Sequence, residues 1–133
     1  MTSRATGTFE VKVGQLPADE RVEGLPLGRN SIAKQFKGDV EGTSVGEMMS
    51  VGTAVPGSAG YVAIERVTGT LQGRAGTFHL LHRGTMKKAG DFSLSIVVVP
   101  DSGTEQLAGL SGTMAIIIAD GKHSYEFEYT LGS

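Results

Sequence analysis

Apolar and polar residues alternate with a period of two along most of this chain. Residues 6–13 place Phe9, Val11 and Val13 on one face, with Thr8, Glu10 and Lys12 on the other. Residues 30–37 group Asn30, Ile32, Lys34 and Phe36. Residues 61–69 set Tyr61, Ala63, Glu65 and Val67 against Val62, Ile64, Arg66 and Thr68. The pattern returns in Phe78, Leu80 and His82, and again in Phe92, Leu94, Ile96 and Val98. It closes with His123, Tyr125, Phe127, Tyr129 and Leu131, opposite Glu126 and Glu128. Successive side chains of a strand point to opposite faces, so this period predicts strands with one buried face. Residues 40–49 and 110–119 supply two more. The stretch 61–69 is apolar on both sides, which predicts that both of its faces are covered.

Glycine-rich punctuation separates the strands. Gly38-Asp39, residues 56–60, residues 73–76, residues 87–91 and Asp120-Gly121 read as turns, the last as a type I′ hairpin. Pro100 cannot donate to a ladder and ends the strand before it. Between Gly14 and Arg29 the alternation stops. Pro17, Gly24, Pro26 and Gly28 predict a long ordered loop with at most one helical turn, suited to act as a lid over a cavity mouth. Eight or nine antiparallel strands joined mainly by hairpins predict a closed barrel, because closure removes exposed edges. A two-sheet sandwich is the alternative. The chain has no Trp, so the tryptophan signatures of lipocalins and avidins are missing.

Composition narrows the function classes. The 133 residues suit one domain spanning the whole chain, and 20 glycines are about twice the usual share. A net charge of −2 without any Lys/Arg run argues against nucleic acid as a partner. No apolar run approaches the ~18 residues of a spanning helix, and the N-terminus has no secretory h-region. A cytoplasmic protein with no membrane partner is expected. The absence of cysteine excludes disulfides, thiolate nucleophiles and thiolate metal sites.

The candidate chemistry lies where polar residues interrupt apolar faces. Lys34 stands between Ile32 and Phe36, Glu65 between Ala63 and Val67, and His82 beside Leu80. If these faces line one lumen, a cation, a carboxylate and an imidazole meet in a low-dielectric space, with Lys34 and Glu65 the natural ion pair. Such a cluster binds a polar head-group or transfers protons, with His82 or Glu65 as general base. It equally serves as a structural ion pair closing one end of a packed barrel. Phe36, Tyr61, Tyr125 and Tyr129 are candidate walls of a binding site or core filling. Glu47, sharing a face with Val45 and Met49, is a further candidate inward carboxylate. No metal site is expected. His79 and His82, three apart on a strand, face opposite ways, and a set of His82, His123 and Glu65 has no supporting spacing. No cofactor motif is present, and Ser102-Gly-Thr104 lacks the context of a phosphate loop.

Several segments resemble one family. They are residues 34–44 (Lys-Gln-Phe-Lys-Gly-Asp-Val-Glu-Gly-Thr-Ser), 58–65 (Ser-Ala-Gly-Tyr-Val-Ala-Ile-Glu), 73–86, 98–104 and 120–129 (Asp-Gly-Lys-His-Ser-Tyr-Glu-Phe-Glu-Tyr). In order and over nearly the whole chain, they look like the DUF3224 family. The resemblance implies a fold similar to allene oxide cyclase, an eight-stranded antiparallel barrel that often forms homo-oligomers. One loop departs from the family pattern, reading Pro100-Asp-Ser-Gly-Thr-Glu-Gln-Leu107 with two glycines fewer. Two functions follow as expectations. One is a barrel binding a small apolar or amphipathic molecule, with isomerase or cyclase activity in reach. The other is a non-enzymatic module with a packed core. The second apolar face, including Val62, Ile64, Val97, Val99 and Ile117, predicts a homo-oligomer, most simply a dimer.

Overall fold

The alternating segments form eight strands that close on themselves. In a computed structural model describing residues 2–17, 27–88 and 90–132, these are β1 (Ser3–Leu16), β2 (Leu27–Gly38), β3 (Val40–Gly52) and β4 (Ala59–Leu71), followed by β5 (Arg74–Met86), β6 (Phe92–Val98), β7 (Leu110–Ala119) and β8 (Lys122–Leu131). Each strand pairs antiparallel with the next, and β1 pairs with β8 to complete the barrel. The turns follow their chemistry: Asp120 and Gly121 both take positive φ, 53° and 74°, as a type I′ hairpin requires.

The strands run further than the alternation does. β1 continues to Leu16 and β2 begins at Leu27, with Gly14 opposite Ser31 and Leu16 opposite Arg29. The expected loop is therefore shorter than 14–29. The helical turn and lid fall on residues 18–26, which lie outside the described residues. Likewise the turn expected at residues 73–76 is Gln72-Gly73: β4 ends at Leu71, and Gly76 sits inside β5 opposite Gly69. Backbone pairing needs no side-chain alternation, so glycine inside a ladder leaves no hydrophobic signal.

One half of the lumen is packed. Phe36, Tyr125, Phe127, Phe78, Leu71 and Val67 fill it, Phe78 stacking on Phe127 with ring centroids 5.9 Å apart. The Tyr125 hydroxyl accepts from the Val40 N–H (2.8 Å) and donates to the Lys37 carbonyl (3.0 Å). Tyr129 donates to the side chain of Gln72. The β6–β7 connection folds under this end. A 3-10 turn at Glu105–Leu107 tucks Leu107 into the core, and the hydroxyls of Thr104 and Ser102 accept from the N–H groups of Thr77 and His79. Those hydroxyls are thus committed to holding the plug.

The opposite half is looser. The detour through the plug leaves β6 only seven residues long, and its register with β7 is confined to Val97 opposite Thr113. Beyond that single pair β6 and β7 share no further register, although the two strands stay neighbours in the closed barrel. Outside, the chain leaves apolar residues bare: Val62 and Ile64 are 50% and 54% exposed. In the single chain the outer face of β4 is therefore uncovered, contrary to the expectation from its two apolar faces.

Candidate functional site

Where the packed and open halves meet, three ionisable side chains share the lumen. Lys34 on β2, Glu65 on β4 and His82 on β5 are all buried, Glu65 completely. Their inward phase follows from the alternation that flanks each. The Lys34 ammonium donates to Glu65 Oε2 at 2.8 Å, and His82 Nε2 lies 2.5 Å from the same oxygen. Lys34 must reach across β3 to do this, and β3 is small there. Gly46 pairs with Glu65, and a Cβ at Gly46 would come within 2.7 Å of the Glu65 Cα. Ser44, also inward, sits opposite Lys34. Glycine at 46 is what lets β3 lie this close to β4 beside Glu65.

The electrostatics favour an ionised carboxylate. Burial pushes the Glu65 carboxyl up. The hydrogen bond from His82 and the charge and hydrogen bond of Lys34 outweigh it and lower the pKa to about 2. Lys34 is further held over the rings of Phe9 (4.9 Å to the centroid) and Phe36 (5.8 Å). Because an ionised carboxylate only accepts, His82 Nε2 carries a proton and donates it to Glu65. Two buried oxygens stay without a hydrogen-bond partner among the described residues, Glu65 Oε1 and Ser44 Oγ.

Above this cluster the open end holds a cavity of about 300 Å³. Its walls are apolar: Val11, Ile32, Met48, Leu94, Ile116 and the rim residue Ile118. Lys34, His82 and Tyr61 supply its polar groups, and His123 joins from β8. Phe92 and Leu94 on β6 and Ile116 and Ile118 on β7 line it from the sparsely paired side of the barrel. Tyr61 lies across β5 at Gly84, where a Cβ would meet the ring at 2.3 Å. Burial, then the Glu65 charge, raise the pKa of its hydroxyl, which stays protonated. A wider groove of about 480 Å³ runs along β1 and β8 past Glu10 and Lys122, but it contains none of the buried ionisable groups.

The candidates from sequence thus separate. Lys34, Glu65 and His82 come together, and Tyr61 joins them at the cavity. Phe36, Tyr125 and Tyr129 lie in the packed half. Glu47 faces outward with its side chain 64% exposed and pairs with Arg29 at 2.7 Å. The inward phase of β3 belongs to Val40, Gly42, Ser44, Gly46 and Met48, with no bulge in the register. His123 packs its ring on Phe9 (5.2 Å), and no three His, Asp or Glu among the described residues are grouped to hold an ion. Phe92, Ile116 and Ile118 also line the cavity, and alternation alone does not separate a residue that lines a cavity from one that fills a core.

A family model described as a protein of unknown function, DUF3224, matches residues 5–129. The chain belongs to the DUF3224 family. A crystal structure of a DUF3224 protein with unknown function from Shewanella oneidensis MR-1 superposes with a TM-score of 0.92 at 48% identity, covering 100% of this chain and 99% of that one. No curated protein matches the chain. This DUF3224 barrel and its relative therefore share the fold over their full lengths, and the chemistry must be argued from the site.

Proposed function

We propose that this DUF3224 protein binds a small apolar or amphipathic molecule in the open end of its barrel. The observation that carries this reading is the apolar cavity of about 300 Å³ set on a floor of Lys34, His82 and Tyr61. Ligand sites combine apolar walls with a few convergent polar groups, and this volume is at the lower end of their range. The ligand's body lies against Val11, Ile32, Leu94 and Ile116, and its polar end meets the floor. Isomerase or cyclase chemistry is compatible with such a site because proton transfer needs no cofactor.

Native mass spectrometry of protein purified from its host tests the reading, alongside titration with dodecanoic acid and 1-dodecanol. A retained ligand, or saturable binding of either probe that Leu94→Trp abolishes, is the expected result. A protein that carries nothing and binds neither probe overturns it.

We propose also that two copies associate through the outer face of β3, β4 and β5. Met49 pairs with Val62 and Ile64 with Leu81, all four 40–54% exposed, which makes a continuous apolar strip. The Arg29–Glu47 ion pair stands at its edge.

A further inference from the structure

We infer that His82 Nδ1 is a general base for proton abstraction next to a carbonyl, and that the ligand of this pocket is an enolisable, apolar-bodied ketone. The inference rests on the binding reading above and assigns its chemistry. His82 lines the cavity, and its Nε2 is committed to Glu65. The nitrogen left for a ligand is Nδ1, which has no hydrogen-bond partner among the described residues. With the proton of the neutral ring on Nε2, Nδ1 carries the lone pair. This is the arrangement in which a carboxylate fixes the tautomer of a catalytic imidazole and then stabilises the imidazolium it becomes. Glu65 lies beneath the cavity surface, fully buried, so it is a positioning residue.

The same floor supplies what the departing electrons need. An ammonium has three N–H groups, and Lys34 gives one to Glu65. Lys34 and Tyr61 both line the cavity, so the remaining ammonium donors and the phenol hydroxyl are the groups available to a carbonyl oxygen turning into an enolate. The step balances without a cofactor. The α C–H bond breaks and an N–H bond forms at Nδ1. The electron pair moves into the new C=C bond, and the carbonyl π pair moves onto oxygen. Imidazolium then returns the proton to the γ carbon of a β,γ-unsaturated ketone, giving the conjugated isomer of identical composition. Ile32, Leu94 and Ile116 surround these groups with apolar side chains, and a lower local dielectric strengthens both interactions.

The test uses cyclohex-3-en-1-one, followed by the ultraviolet absorbance of its conjugated isomer, with α-deuterium exchange read by NMR. Binding is measured separately from line broadening of the probe. Wild-type protein is expected to isomerise the probe faster than free imidazole at the same concentration. His82→Gln should lose at least about 100-fold in kcat. Glu65→Gln should lower kcat with little change in KM and alter the pH profile, which a purely structural role would not do. If the probe binds but reacts no faster than with free imidazole, the base assignment fails and the pocket stands. If neither this probe nor the two dodecyl probes bind, the pocket reading fails as well. The comparison with free imidazole needs only the wild-type chain, so it decides the matter even where a variant does not fold.

Discussion

Replacing Glu65 with alanine strands two donors in the middle of the barrel. The Lys34 side chain is 6% exposed and that of His82 is 4% exposed, and both direct a donor at the carboxylate being removed. Breaking a buried pair by deleting one partner costs about 3–5 kcal/mol, because the other charge stays desolvated. For a domain of this size each kcal/mol moves Tm by roughly 3–5 °C, so Glu65→Ala should melt about 10–20 °C below wild type. Glu126→Ala is the control. It removes the Arg4–Glu126 bond of 2.6 Å, whose side chains are 58% and 38% exposed, and such pairs contribute about 0–1 kcal/mol. Its melting point should shift by a few degrees at most. Circular dichroism melts of the two variants side by side read the difference. A third variant, Lys34→Met with Glu65→Leu, removes both charges and should recover more than half of the loss. Equal, small shifts for Glu65→Ala and Glu126→Ala would refute the burial of the cluster and the reasoning built on it.

The pH dependence has a defined sign. Because the folded-state pKa of Glu65 is depressed to about 2 from 4.5, its contribution of about 3 kcal/mol is present above pH ~4.5 and is lost as pH falls through 2. The stability gap between wild type and Glu65→Gln, followed by urea unfolding from pH 6 to pH 2, should therefore narrow toward acid; a constant gap would contradict the ion pair. Tyr125→Phe leaves the buried Val40 N–H without its acceptor and should cost about 1–3 kcal/mol by the same unfolding assay. Sedimentation at micromolar concentration should show a dimer, and Ile64→Lys on the outer face should convert it to a monomer that keeps the β-sheet circular dichroism of the wild type.

How much was legible depended on what each residue reports. The inward phases of β1, β2, β4, β5, β6 and β8 could be read because each carries apolar residues at every second position. The cluster was legible for the same reason: Lys34, Glu65 and His82 interrupt faces whose neighbours are plainly core. β3 misled because its inward positions at the crossing are Gly42, Ser44 and Gly46, which carry no hydrophobic signal, while Val45 and Met49 point outward. That inversion alone brought Glu47 into the site. The strand ends that differ from expectation lie where glycine continues a ladder, as at Gly14 and Gly76. The cavity was out of reach of periodicity altogether. Alternation reports which face a residue takes, and not whether the space that face encloses is filled.

The barrel is closed by its first and last strands. Every neighbouring pair but one is consecutive along the chain, and the exception, β1 with β8, joins Ser3 to Tyr129 and Phe9 to His123. Hairpins can nucleate one after another from local contacts, but the ring forms only when the two extremities of the chain meet. That meeting bears the loop-closure entropy of almost the entire polypeptide, and the rate of folding falls as such distant pairings dominate. The β1–β8 junction is the most non-local pairing in the barrel, and substitutions that weaken it are expected to slow folding. Phe9, whose ring lies under the Lys34 ammonium and against His123, sits at that junction and ties it to the buried charges.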